Sequence, residues 1–324
     1  MMALVNTGFE LVLCAMIVTT ALLAVTVRDR FGAVVFFIVY GVFVGLGWLR
    51  LGAVDVALAE VALGAGLTGL LLLGANARLP ESLPVPSRLA GHVMAAGAGG
   101  IAALGAGWAF LSIRGAAGLR QEVAANLETT GVENPVTAVL LNFRGWDTLI
   151  ESVVLLAALI GIWSTAQDRA WGERPGLRQH VKSGGVLDSF ARLLPPIGLV
   201  VGIYIFWAGS SQPGGAFQAG TLLAAVAVVA MMGGAMQPPL IASRWLRLSL
   251  VAGPAIFLAI GLAGAAAGTF LGQSAEIAKT LTLLVEAALT LSIAATLALA
   301  IIGPPEEQPP EEPSREEQRR GERV

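Results

Sequence analysis

Long apolar blocks alternate with short polar segments along almost the whole chain. Each block approaches the ~20 residues that an α-helix needs to cross roughly 30 Å of hydrocarbon. The blocks fall at residues 4–27, 31–49, 52–74, 91–113, 146–164, 193–208, 216–236, 246–268 and 277–302. The pattern therefore predicts an all-α integral membrane protein of about nine transmembrane helices.

The basic residues are unevenly distributed between the segments that connect these helices. If the N-terminus lies outside, 15 of the 20 Lys and Arg residues fall on the cytoplasmic side. The outer side then holds only Arg50, Arg114, Arg120, Arg144 and Lys279. Because short cytoplasmic loops carry an excess of Lys and Arg, we predict an outer N-terminus and an inner C-terminus.

Composition excludes several classes of function. The chain is 56% hydrophobic and 13% charged, whereas soluble domains are about a quarter charged. Its net charge of −2 gives no support for nucleic-acid binding. One cysteine and two histidines cannot build an iron–sulfur site. We therefore expect no metal site, no cofactor and no enzymatic activity, and any redox chemistry would belong to a partner.

Proline-rich and basic segments divide the chain into modules. We predict a three-helix module at 1–88, a two-helix module at 89–166 and a four-helix module at 167–302. Residues 303–324 are mostly Pro, Glu and Arg, so they should form a disordered cytoplasmic tail. No convincing internal repeat is present, which argues against a transporter that works alone.

Charged residues inside the apolar blocks are the main candidates for function, because such charges usually face a bundle interior or a wet cavity. The third block contains Asp55 and, deeper, Glu60, which has no cation within two turns of its own helix. Burial disfavours the charged carboxylate, so Glu60 is a candidate proton or cation carrier. A hydrogen-bonded packing carboxyl is the alternative, and Asp55 is equally suited to a solvated helix end or to a role where ions enter.

A second cluster begins the fifth block. Arg144, Asp147 and Glu151 have the spacing i, i+3, i+7, which places them on one helical face unless Gly145 interrupts the helix. Glu151 is the deepest member and the better candidate for proton or cation transfer. Arg144 and Asp147 are equally consistent with a structural ion pair.

The last block carries Lys279 and Glu286, seven residues apart and almost eclipsed on a helix. A lysine in a membrane gives up its proton readily, so the two residues form a plausible proton relay. Alternatively, Lys279 reaches back to the interface. Glu286 is too deep for that and must have a partner.

A glycine-rich segment joins the sixth and seventh blocks. It lacks the Gly-Lys-Ser/Thr ending of a phosphate-binding loop. Free backbone carbonyls here would suit a hard cation such as Na⁺, whereas an ordinary tight hairpin is the alternative. Its signature residues are Gln212, Pro213, Gly214, Gly215, Phe217 and Gly220.

Three stretches together resemble a known family. Residues 55–67 resemble the MbhD component of membrane-bound hydrogenases, which also forms part of the C-terminal region of the large Mrp antiporter protein. Residues 142–151 resemble the adjoining MbhE module, whose pattern Asp-Phe-Arg-x-x-Asp-Thr-x-x-Glu has Asn142 here in place of the first Asp. Residues 209–220 resemble the signature of the MnhB component of Mrp/Mnh-type Na⁺/H⁺ antiporters, with Ser210 and Ser211 replacing the usual His-Asn.

The resemblance implies a fused subunit of a multisubunit cation/proton antiporter in the inner (plasma) membrane. Glu60 and Glu151 would then match the family's intramembrane carboxylates, Na⁺ and H⁺ would be the transported ions, and other membrane subunits would be the partners. Two alternatives remain open. One is an ion-translocating coupling module of a complex-I-like hydrogenase or dehydrogenase. The other is a structural scaffold that transports nothing.

Overall fold

We describe a computed structural model of the 324-residue chain. The structure describes residues 2–79, 89–112, 118–176, 185–266, 268–271 and 275–306. The predicted disordered tail lies outside these ranges, apart from its first four residues.

Most of the described residues are helical, and those residues contain no β-strand. Two short helices lie on the predicted outer side, ahead of the fifth predicted membrane span. The helices are α1 (Met2–Thr26), α2 (Arg30–Arg50), α3 (Val54–Arg78), α4 (Leu89–Ser112), α5 (Arg120–Asn126), α6 (Pro135–Ala138), α7 (Gly145–Trp163), α8 (Val186–Ala208), α9 (Ala216–Met232), α10 (Arg244–Ala266) and α11 (Ala275–Ile302).

Eight of the described helices are long and apolar enough to cross a membrane. The ninth predicted span corresponds to α9, which has 17 residues and is therefore shorter than the others. The prediction of an all-α membrane protein is confirmed. The helix predicted at 193–208 begins earlier, at Val186, where Asp188 and Arg192 form an i, i+4 ion pair of 2.9 Å.

Helix α11 lies at the centre of the bundle and packs against α7, α9 and α10. Its buried side chains, such as Leu289 and Ile293, form the main apolar core together with Phe257 of α10. At the periphery, α1 packs on α2, and α2 packs on α3. Helix α3 in turn contacts α9, which brings the first predicted module against the last one.

A contact at the predicted inner end also joins distant parts of the chain. The amide of Gly176 donates to the carbonyl of Pro304 at 2.9 Å. Just beyond it, Arg78 of α3 forms an ion pair of 3.1 Å with Glu306. The segment that follows α11 is thus held against both the end of α3 and the loop that follows α7, and we call it the inner clamp (303–306).

Candidate ion-translocation site

A cavity of about 500 Å³ lies among α3, α7, α9 and α11, near the ends of these helices predicted to face outside. Most of its wall is apolar, and a few polar groups converge on it. The polar and glycine residues in the wall are Thr137, Thr148, Glu151, Gly214, Gly215, Gln218 and Glu286. Apolar cavities with few, convergent polar groups are the usual form of binding sites.

Glu286 is the most deeply buried acidic side chain in the cavity. It is only 2% exposed, and its Oε2 atom has no hydrogen-bond partner among the described residues. An isolated carboxylate in such surroundings is costly unless a proton or a cation compensates its charge. Glu286 is therefore suited to exchange one of these with the cavity.

Glu151 lies at the edge of the same cavity and is exposed on the surface of the chain. It sits in the second turn of α7, which begins at Gly145. The cavity thus has one acidic group at its open side and a second one in its interior.

Two short π-helical segments flank the cavity. The first, Glu60–Leu67, interrupts α3, and the second, Val139–Phe143, continues α6. Leu63 of the first segment and Leu140 and Leu141 of the second line the cavity wall. Such wider turns are rare and occur frequently at functional sites. Neither segment is predicted by the periodicity of the sequence.

The loop between α8 and α9, residues 209–215, closes the outer side of the cavity. We call it the hub loop. The side chain of Thr137 donates to the carbonyl of Gly209 at 2.6 Å, and the amide of Asn134 donates from Nδ2 to the carbonyl of Gln212 at 2.9 Å. From the opposite side, Oδ1 of Asp55 accepts a hydrogen bond of 2.9 Å from the amide of Gly214. All three predicted modules therefore meet at this loop.

Two glycines of the hub loop have conformations that other residues rarely adopt. Gly214 has φ +152°, and an added Cβ there would collide with the carbonyl oxygen of Ile205. Gly215 has φ +127°, and its Cβ would lie 3.4 Å from Oε1 of Glu286. The glycines allow the backbone to pass close to this carboxyl group.

The other signature residues of this segment have different surroundings. Gln212 and Pro213 are exposed. Phe217 lines the cavity. Gly220 lies further along α9, where a Cβ would come within 2.7 Å of Cγ2 of Ile293 in α11. This position therefore serves close packing of two helices.

Glu60 and Asp55 do not line the cavity. Glu60 is partly exposed at the start of the π-helical segment, and its carboxyl group lies next to Gly64 of the same helix. Its neighbours Ala59 and Leu63 face the cavity instead. Asp55 is 9% exposed and faces the hub loop.

The remaining candidate residues lie nearer the surface. Arg144 and Asp147 form an ion pair of 2.5 Å, as one of the two interpretations of their spacing predicted. The helix is interrupted here at Arg144, which has φ −126°, and α7 begins at the next residue, Gly145. Lys279 is exposed, whereas Glu286 is buried, so the two differ sharply in surroundings despite their seven-residue spacing.

Four residues of the site were not proposed from the sequence: Asn134, Thr137, Thr148 and Gln218. Asn134 precedes Pro135, and its Oδ1 accepts from the amide of Val136, which is the signature of a helix N-cap. That signal predicts where α6 starts. It does not predict that the other side-chain atom of Asn134 reaches a loop 78 residues away in the sequence.

Within the described ranges, no group of three or more His, Cys, Asp or Glu side chains is arranged to hold a metal ion. In the cavity wall, neutral oxygen atoms of Thr137, Thr148 and Gln218 accompany the acidic groups.

These features define a multi-pass membrane protein with a carboxyl-lined cavity near one end of its bundle. Residues 15–81 match the family model for MbhD, a subunit of MBH. Residues 186–303 match the model of a domain related to the MnhB subunit of the Na⁺/H⁺ antiporter. The chain therefore contains an MbhD-like segment followed by an MnhB-like segment, in the order that the sequence predicted.

Two solved structures share the fold. The structure of the Mrp complex from Dietzia sp. DQ12-45-1b matches with a TM-score of 0.72 and 24% identity over 93% of this chain and 35% of that one. The chain thus spans about a third of the length of the protein it matches there. A chain of the membrane-bound sulfane sulfur reductase, an archaeal respiratory membrane complex, matches with a TM-score of 0.53 and 21% identity. That match covers 68% of this chain and 100% of the other. No curated protein sequence matches the chain.

Proposed function

We propose that this chain is a membrane subunit of a multisubunit Na⁺/H⁺ antiporter and that its cavity carries ions during exchange. The observation that carries the proposal is the Oε2 atom of Glu286, which is buried beside a cavity of about 500 Å³ and has no partner among the described residues. A proton or a cation on this carboxyl group removes the cost of its charge. Competition between H⁺ and Na⁺ for one group would couple the movements of the two ions.

Glu151 has the complementary role in this proposal. Its place at the open edge of the cavity lets it exchange protons with water and deliver them to the interior. Carboxyl groups that act in series are common in proton relays across membranes. Glu60 and Lys279 lie outside the cavity wall, so we assign the central steps to Glu151 and Glu286 instead.

The partners in this proposal are other membrane subunits of an Mrp-type assembly in the inner (plasma) membrane. Helix α4 supports the need for partners, because every side chain from Val93 to Ser112 is exposed in this chain. The match to one third of a longer chain in the Mrp complex also favours a larger assembly.

The fold is also shared, over 68% of this chain, with a chain of a respiratory membrane complex, and residues 15–81 match a subunit of MBH. A coupling module in a redox-driven complex is therefore the second candidate. Purification of the tagged complex in mild detergent separates the two. Large antiporter-type subunits would support the antiporter, whereas proteins rich in iron–sulfur ligands would support the redox-driven complex.

The direct test is exchange by the complex in inverted membrane vesicles, followed as Na⁺-dependent collapse of a pH gradient. We expect Glu286→Gln to lower the exchange rate at least tenfold while the complex remains assembled. Glu10→Gln is the matched control, because Glu10 pairs with Arg50 at the exposed edge of α1 and α2, away from the cavity. Wild-type exchange by Glu286→Gln would overturn the proposal. Loss of assembly by the same variant would favour the alternative that the chain is a structural scaffold that transports nothing.

A further inference from the structure

Asp55 connects α3 to the hub loop and to α9 through one contact each. Its Oδ1 atom accepts a hydrogen bond of 2.9 Å from the amide of Gly214, and its own carbonyl accepts one of 3.4 Å from Nε2 of Gln218. The side chain is almost fully buried at this junction. One residue of the MbhD-like module thus contacts both the loop and the first turn of α9 in the MnhB-like module.

The position of Gly214 bears directly on the cavity. The next residue, Gly215, forms part of the cavity wall, and a Cβ on it would come within 3.4 Å of Oε1 of Glu286. The amide of Gly215 also donates to the carbonyl of Ile205 at 3.1 Å, which fixes the turn from within its own module. Any shift of Gly214 would therefore change the distance between the backbone and the Glu286 carboxyl group.

The hub loop is held from two opposite sides. Asn134 and Thr137 bind the carbonyls of Gln212 and Gly209 from the side of α6. Asp55 binds an amide from the side of α3. Because the side chain of Asp55 is almost fully buried and its Oδ1 atom already accepts from a backbone N–H, this contact suits an anchor better than a transient ion site. In addition, Asp55 is absent from the cavity wall, whereas Ala59, one turn further along α3, is part of it.

We propose that Asp55 is a positioning residue that anchors the Gly214–Gly215 turn beside Glu286, and that its role requires the acceptor oxygen rather than the negative charge. This inference deepens the proposed function and rests on it. Asp55 does not carry a proton or a cation itself.

Two conservative variants separate the effect of the oxygen's position at residue 55 from the effect of its negative charge. Asp55→Asn keeps an acceptor oxygen at the same distance from the backbone and removes the charge. Asp55→Glu keeps the charge and moves the oxygen by one methylene group. In the vesicle assay on the intact complex, we expect Asp55→Asn to retain at least half of the wild-type exchange rate and to exceed Asp55→Glu. The opposite ranking, with Asn inactive and Glu active, would overturn the proposal.

Asp55→Leu removes the acceptor and should lower exchange at least tenfold. A second readout, independent of transport, is hydrogen–deuterium exchange of the peptide that contains residues 209–216. We expect faster amide exchange in the Leu variant and wild-type exchange in the Asn variant. Unchanged amide exchange, or unchanged transport, in an assembled Leu variant contradicts the inference. If Asp55→Leu prevents assembly, the exchange rates of Asp55→Asn and Asp55→Glu still test the inference.

Failure of this inference differs from failure of the proposed function. If both Glu286→Gln and Asp55→Asn abolish transport, the proposed function of the cavity is supported and the anchoring role of Asp55 is contradicted. If Glu286→Gln transports normally, the proposed function falls, and the amide exchange of the hub loop still tests whether Asp55 anchors it.

Discussion

Helices α4 and α11 are both long, apolar membrane helices, yet their surroundings in this chain are opposite. Their most apolar windows have mean hydropathies of 1.5 and 2.1. Of the α11 window, 61% is buried within the protein, whereas none of the α4 window is. Hydropathy therefore indicates that a helix enters a membrane, and it contains little information about what the helix meets there.

The glycines of the two regions make the same point. Gly253 of α10 packs so closely against α11 that a Cβ would come within 3.1 Å of Cα of Leu289. In α4, a Cβ on Gly97, Gly100 or Gly105 would meet nothing within 4 Å. Small residues allow helices to approach each other closely. Those of α10 serve a contact inside the chain, and those of α4 suit the partner subunits proposed above.

The largest effect is expected in the core around α11. Phe257 is completely buried, so Phe257→Ala leaves a cavity and should lower the free energy of unfolding by about 3 kcal/mol. The measurement is unfolding of the full chain in mixed detergent micelles. Leu258 of the same helix is 40% exposed, so Leu258→Ala should lower the free energy of unfolding far less. Equal losses in the two variants would show that α10 does not pack as described.

A smaller effect is expected for a polar contact between two buried helices. The side chain of Ser292 in α11 donates to the carbonyl of Leu250 in α10 at 2.6 Å. Such bonds contribute about 0.6 kcal/mol in membrane proteins, so Ser292→Ala should lower the free energy of unfolding by roughly that amount. Ser249→Ala is the control, because Ser249 donates only to Leu246 of its own helix. A larger loss of unfolding free energy in Ser249→Ala than in Ser292→Ala would argue against the interhelical hydrogen bond.

The smallest effect on the chain itself is expected in α4. Gly100→Leu fills open space and should change the free energy of unfolding by no more than about 0.5 kcal/mol. The same variant should lower the yield of other subunits recovered with the tagged chain. Gly220→Leu, at the contact of α9 with α11, should instead destabilise the chain by itself. Recovery of a complete complex with Gly100→Leu would show that α4 binds no partner at this position.

The sequence predicted the number and order of the apolar helices because their length follows from the thickness of a membrane. It also singled out Glu151, Glu286 and the glycine-rich turn, which line one cavity in the structure, because buried charges and adjacent glycines are rare and costly. It could not predict which face of α3 meets the cavity. That face depends on how α3 packs against α9, and the cavity wall contains Ala59 and Leu63 but not Glu60.

The contacts of the hub loop illustrate a second limit. Asp55 and Gly214 are 159 residues apart, and Asn134 and Gln212 are 78 apart. Periodicity reports on neighbours within one helix, whereas these pairs depend on how separate helices pack. From the sequence, Asp55 is equally suited to a solvated helix end or to a role where ions enter, whereas in the structure its carboxylate accepts from a backbone amide.

The inner clamp bears on how much of this architecture depends on covalent linkage. Arg78 and Glu306 form an ion pair at one end of the bundle, while the hub loop binds Asp55 and Asn134 at the other. Non-covalent contacts thus join the modules at both ends. Covalent continuity is therefore not the sole link between the first part of the chain and the last, and a bundle with the same contacts is open to assembly from separately translated polypeptides.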